Sequence, residues 1–180
     1  LATWTPPEST GRSPLDTVLV RRGASEGAID WDSPNNIPID EETFDMAMED
    51  ACGLLKKKDM LLVTDRVIGA DPAYALQVHT VTDRALTALF TDNMFRPLPE
   101  SLESSCFASR PFTLVVLPYD KLDSSRYQGR LRKLENGETT DMLVAMDMDR
   151  MLGVIIGSAY CGSVKKLMFT VMNYVLPDEG

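Results

Sequence analysis

The clearest periodicity lies near the carboxyl end of the chain. Val164, Leu167, Met168, Val171, Met172 and Val175 recur at helical spacing and predict an amphipathic helix that starts near Ser163 and is stopped by Pro177. Phe169 and Tyr174 are expected to widen its apolar stripe. A second helix is predicted from Asp40 onward. Glu41 and Glu42 fill its first turn and the lysines at 56–58 close it, an order that suits the helix dipole. Phe44, Ala47, Met48, Ala51, Leu54 and Leu55 give it one buried face. A third helix, over 82–95, should turn Ala85, Leu86, Leu89 and Phe90 inward. Short strands are predicted at 17–22, 60–65, 74–81 and 111–118, and a pair at 142–148 and 151–157 is joined by a tight turn at Asp149 and Arg150. Residues 23–39, rich in Gly, Ser, Asn and Pro, read as a surface loop. With no internal repeat and no linker, the expected fold is a single α/β domain with a mixed β-sheet flanked by helices.

Composition narrows the function classes. A chain of 180 residues, 44% hydrophobic and 25% charged, can bury a sizeable core. Its net charge of −9 argues against a nucleic-acid partner but leaves room for a local anion site. No apolar run approaches the roughly 18 residues of a membrane span, and no signal peptide is visible at the start. Three cysteines without a CxxC pair fit a reducing, cytoplasmic setting. The chain begins with Leu rather than Met and reads as a fragment or a processed product.

Candidate chemistry gathers at the start of the last helix, in the stretch GSAYCGSVKKLMF. Lys165 and Lys166 stand in its first turn, at the positive pole of the helix dipole, where each cation forgoes or loses roughly 0.3–1 kcal/mol. Gly157 and Gly162 are spaced like the glycines of a P-loop, but Ser163 occupies the position that must be lysine, so the motif fails. A strand–turn–helix remains whose first amides can face an anion. Two readings of the lysines stay open: a solvated polar face, or a site for something anionic in which a desolvated amine serves as base or metal ligand. Arg12 sits on the turn STGRSP, where a guanidinium suits bidentate binding of carboxylate or phosphate, although an ordinary exposed turn has the same sequence. The lone histidine, His79, lies in an alternating strand without partners at ligand spacing and reads as structural. The cations between 121 and 133 read as a solvated loop.

Several stretches, in this order, resemble the amino-terminal part of ATP-dependent phosphoenolpyruvate carboxykinase: TGRSP, IDWDSPNNIPIDEETFD, GADPAYALQVHTVTD, DNMF and AYCGSVKKLMFTVMNYVLPDEG. The resemblance implies a domain spanning 1–180 that belongs to an enzyme forming phosphoenolpyruvate, ADP and carbon dioxide from oxaloacetate and ATP in gluconeogenesis. By position, Arg12 resembles the arginine that binds the substrate carboxylate or carbon dioxide, and Tyr160 the tyrosine lining that pocket. Lys165 resembles the lysine that stabilises the enolate and the transferred phosphoryl group. Lys166 resembles the lysine that meets substrate and ligates manganese as a neutral amine. The family's ATP, Mg2+ and Mn2+ would be handled together with a carboxy-terminal P-loop domain, which the resemblance places beyond these residues. This chain alone is expected to hold no cofactor tightly and to be inactive. Cys161 and Ser163 depart from the family's Ala and Glu. These departures support an alternative, a diverged non-catalytic module that binds anions or assists assembly.

Overall fold

The computed structural model describes Gly11 and residues 13–177. Seven strands form one mixed sheet: β1 (Thr17–Val20), β2 (Ile37–Ile39), β3 (Leu62–Ile68), β4 (Leu76–Thr82), β5 (Phe112–Leu117), β6 (Leu143–Asp147) and β7 (Leu152–Ile156). Their spatial order is β2-β1-β6-β7-β5-β4-β3. The pairs β3–β4 and β6–β7 are antiparallel and the others parallel. Four helices flank the sheet: α1 (Gly23–Ala28), α2 (Glu41–Leu55), α3 (Ala85–Met94) and α4 (Gly162–Val175). The expected α/β domain with a mixed sheet is therefore the observed one.

Alternation along the central strands builds two cores, one on each face. Leu114, Val116, Val144, Met146 and Ile155 point toward α4, whose Val164, Leu167, Met168, Val171, Met172 and Val175 are all buried against them. Val115, Leu117, Leu143, Ala145 and Val154 point the other way, onto Phe44, Ala47 and Ala51 of α2. Asp40 caps α2 by accepting from the Thr43 amide at 2.8 Å, so the start read from the sequence is supported by geometry.

The structure corrects four expectations. Residues 23–39 are not simply a loop: they contain α1 and the edge strand β2. Arg22, at the cap position of α1, makes no side-chain cap bond; the carboxylate of Asp149 accepts from the Ala24 and Ser25 amides instead. In α3 the buried residues are Thr87 and Thr91; Leu89 is 59% exposed, whereas Phe90 packs on the core as expected. The Thr91 hydroxyl bonds Thr64 of β3, a polar contact that an apolar pattern does not reveal. Phe169 does not widen the α4 stripe, since it is 60% exposed, whereas Tyr174 does pack on the core. Finally, the cations at 121–133 are fasteners rather than a solvated run. Lys121 pairs with Asp141, Arg126 with Asp50, Arg130 with Glu42, and Arg132 with the buried Asp16.

Candidate functional site

The antiparallel hairpin β6–β7 delivers the chain to the sheet's end, and there residues 157–161 turn it into α4. Gly157 packs on Met142, where an added Cβ would lie 3.2 Å from the methionine Cβ. Ser158 and Ser163 close the turn through a buried hydroxyl pair at 2.9 Å, and the Ser163 amide donates to the Tyr160 carbonyl at 2.9 Å. Cys161, the residue before α4, contributes no side-chain cap, and burial pushes its thiol pKa up.

Gly11 and Ser13 lie close to the same loop or its packing partner. Ser13, fully buried and left-handed with φ 50°, directs its hydroxyl toward Met142 Sδ at 3.7 Å. Met142 thus touches both Ser13 and Gly157. The Ser13 carbonyl accepts from the Asp16 amide at 3.1 Å and the Thr17 hydroxyl at 2.9 Å. Asp16 is held by a two-pronged contact from Arg132, at 2.9 and 2.8 Å. On the outer side, a Cβ added at Gly11 would lie 4.0 Å from Tyr160 Cε1. Arg12 itself lies outside the described residues; of its neighbours, Gly11 borders Tyr160 and Ser13 contacts Met142, which packs on Gly157.

The other candidates separate. Tyr160 is 42% exposed and available to a ligand. Lys165 is exposed on the polar side of α4. Lys166 is half-buried, and its amine donates to Thr170 Oγ1 at 3.4 Å and lies 6.0 Å from the Phe169 ring centroid. Its amine is therefore turned one helical turn toward the carboxyl end and does not converge on Tyr160. Lys166 nevertheless lines, with Pro14, Leu15, Thr170 and Asn173, a cleft of about 420 Å³, so it and the segment after Ser13 share one concavity. Among the described residues neither lysine meets a carboxylate within ion-pair distance, whereas Arg22, Lys58, Arg130 and Arg150 each meet two.

A divalent cation is not accommodated by these groups alone. Among the described residues no three His, Cys, Asp or Glu side chains cluster, and a single amine hydrogen-bonded to Thr170 is an insufficient donor set. His79 is far from such a role, because its Nδ1 pairs with Asp65 across β3 and β4. Met142, the Ser158–Ser163 pair and the Asp16–Arg132 pair escaped the reading of the sequence. Only Asp16, placed just after Pro14 on a short helical turn, left a local sign there.

A family model for phosphoenolpyruvate carboxykinase matches residues 2–180, and the chain belongs to that family. Relatives named phosphoenolpyruvate carboxykinase (ATP) include those of Chelativorans sp., 38% identical over 174 residues, and Paracoccus denitrificans, 38% identical over 171. A third, from Rubrobacter xylanophilus, is 36% identical over 172 residues. The matches cover 96%, 95% and 94% of this chain but only 30% of each relative's length. No helix among the described residues is long and apolar enough to cross a membrane.

Proposed function

We propose that residues 1–180 form the substrate-side, amino-terminal domain of an ATP-dependent phosphoenolpyruvate carboxykinase that works in cytoplasmic gluconeogenesis, with the nucleotide domain elsewhere in the protein. The observation that carries this reading is the meeting of two separate segments: Gly11 borders Tyr160, and Ser13 reaches Gly157 through Met142. In the proposed reaction oxaloacetate loses carbon dioxide, leaving an enolate of pyruvate. The enolate oxygen then attacks the γ-phosphorus of ATP, giving phosphoenolpyruvate and ADP. Arg12 would grip the carboxylate or carbon dioxide in the fork geometry that guanidinium provides. Tyr160 would wall that pocket. Lys165 would neutralise charge that develops on the enolate and the phosphoryl group in flight, where preorganised cations act most strongly. Lys166 would meet substrate and lend one amine to manganese, whose remaining ligands must come from outside these residues. Two lysines that meet no carboxylate among the described residues, at a helix amino end, are unfavourable in the empty site and favourable once an anion arrives.

The test uses the full-length protein and follows conversion of oxaloacetate and ATP to phosphoenolpyruvate. Lys165→Met and Arg12→Ala are each expected to lower kcat/KM by about 10²–10³-fold, with the melting temperature unchanged. Lys166→Met is expected to lower manganese-supported turnover sharply. Unchanged kinetics in these variants would refute the roles. A full-length protein that binds phosphoenolpyruvate through Arg12 yet shows no turnover would instead identify a non-catalytic anion-binding module.

A further inference from the structure

Gly162 is a glycine that its own backbone does not require. It opens α4 without a positive φ, so any residue could adopt its conformation, and alanine would be the better helix former. The space around it gives the reason. A Cβ built on Gly162 would lie 2.2 Å from Tyr160 Cε1, 2.7 Å from Cζ and 3.0 Å from Cδ1. One edge of the tyrosine ring therefore rests directly on the glycine Cα. Separations this short do not occur between a real Cβ and a ring, so any side chain at 162 forces the ring to leave.

The ring is partly open to solvent. Tyr160 is 42% exposed, and its main chain is fixed from below by the Ser163 amide and the buried Ser158–Ser163 hydroxyl pair. The ring also lies near Gly11, where an added Cβ would stand 4.0 Å from the same Cε1. The ring thus spans from the first residue of α4 to Gly11.

We propose that Gly162 is a positioning residue for carboxylate binding: its absent side chain lets the Tyr160 ring lie down on the amino end of α4 and form the wall facing the Gly11 turn. This rests on the reading of Tyr160 as a substrate-contacting residue. With alanine at 162 the ring swings outward, the wall opens, and the carboxylate of oxaloacetate loses its seat while the nucleotide is unaffected.

The experiment is a double-mutant cycle in the full-length protein with Gly162→Ala, Tyr160→Ala and both together, reading oxaloacetate KM, ATP KM and melting temperature. Gly162→Ala is expected to raise the oxaloacetate KM by about ten- to a hundredfold, the range for a mispositioned group, and to leave the ATP KM within about twofold. In the Tyr160→Ala background the same substitution should alter neither KM beyond about twofold, because the two sites act through one contact. The melting temperature should fall on Gly162→Ala when Tyr160 is present and hold or rise when it is absent. Equal effects of Gly162→Ala in both backgrounds would overturn the proposal, since a purely helical role does not depend on the ring. Should Gly162→Ala fail to fold, folding of the double variant supports the proposal and its failure overturns it. If Tyr160→Ala leaves turnover and KM unchanged, the substrate reading of Tyr160 falls and the carboxylate role of Gly162 falls with it. The melting cycle would still report the packing contact independently.

Discussion

Removing the carboxylate of Asp149 should unravel α1. This helix, GASEGA, has six residues, two of them glycine, and each glycine inside a helix costs about 1 kcal/mol relative to alanine. A segment so short does not hold a helix in isolation. What fixes it is the turn between β6 and β7. Asp149 accepts from the Ala24 amide at 2.9 Å, the Ser25 amide at 3.2 Å and the Ser25 hydroxyl at 2.6 Å. Gly23 allows the approach: at φ 49° its Cα sits where an added Cβ would be 2.8 Å from Asp149 Oδ1. An ordinary side-chain cap contributes about 0.5–2 kcal/mol, and a charged acceptor with more than one donor belongs at the upper end. Asp149→Ala is therefore expected to cost about 2 kcal/mol, and Asp149→Asn about half of that. For a chain of this size 2 kcal/mol corresponds to a fall of about 4–8 °C in Tm.

The effect should also follow pH. Burial alone would raise the Asp149 pKa, but the bonds from Ser25 and Ala24 outweigh it, and the pKa lies below the ordinary 3.8. A carboxyl depressed in the folded state stabilises fully above its unfolded pKa and loses that contribution as pH falls through the folded value. Urea unfolding at several pH values should give a constant gap between the parent chain and Asp149→Asn from about pH 5 to 8, closing below about pH 4. Amide exchange at residues 24–28 should accelerate in Asp149→Ala. A gap that persists unchanged at pH 3, or α1 amides as protected as before, would refute the capping argument.

Two further substitutions test the fasteners. Lys58 bridges Asp120 at 2.7 Å and Asp83 at 3.0 Å; burial works against its charge, yet the two carboxylates prevail and raise its pKa. Lys58→Met leaves two neighbouring carboxylates, Asp83 with only 4% of its side chain exposed, and should cost about 2–3 kcal/mol, less than a fully buried pair because Lys58 is partly solvated; a shift in the urea midpoint worth under about 0.5 kcal/mol would disprove it. Tyr127 is fully buried and donates to Asp50 at 2.7 Å, so Tyr127→Phe should cost about 1–2 kcal/mol by the same assay. Burial and Asp50 together push the Tyr127 phenol well above its ordinary range, so its neutral form is held until the chain unfolds. Its contribution should be complete below the unfolded pKa of about 10 and fade as pH rises past it; phenolate absorbance from Tyr127 in the native chain at pH 10 would contradict this.

The contrast between α4 and α1 shows what a sequence can carry. The α4 stripe and the Asp40 start of α2 are local signals: each residue's face is set by spacing, and the cap bonds its own third neighbour. In α1 the decisive group is supplied from a turn 125 positions away, so nothing within GASEGA announces a helix. The inner face of α3 misled for a related reason. Thr91 is buried where it finds a hydroxyl partner on β3, and a hydrophobicity pattern assigns such residues, Thr87 included, to solvent. At the candidate site, the two lysines were visible as cations at the wrong pole of a helix, whereas Tyr160 was picked out only by its place in the family resemblance. The ring's dependence on Gly162 was not visible, because a glycine excluded by a neighbouring ring has the same letter as a glycine needed for a turn.

Charge placement gives the lysine pair its meaning. With 27 acidic and 18 basic residues, an exposed cation on this protein readily finds a carboxylate. Arg22, Arg130 and Arg150 each reach two, and Lys58 bridges two at once. Lys165 and Lys166 reach none among the described residues, although the helix dipole already disfavours them there. Selection for stability would readily supply an acid at such a spot; position 163, one turn-neighbour away, holds a serine whose hydroxyl turns inward to Ser158 instead. Among the described residues the first turn of α4 thus keeps two cations without a carboxylate partner, and one of them, Lys166, lines an open cleft. On the proposed reading, an anion would bind such a surface without first having to break an internal ion pair, which would otherwise subtract from both affinity and rate.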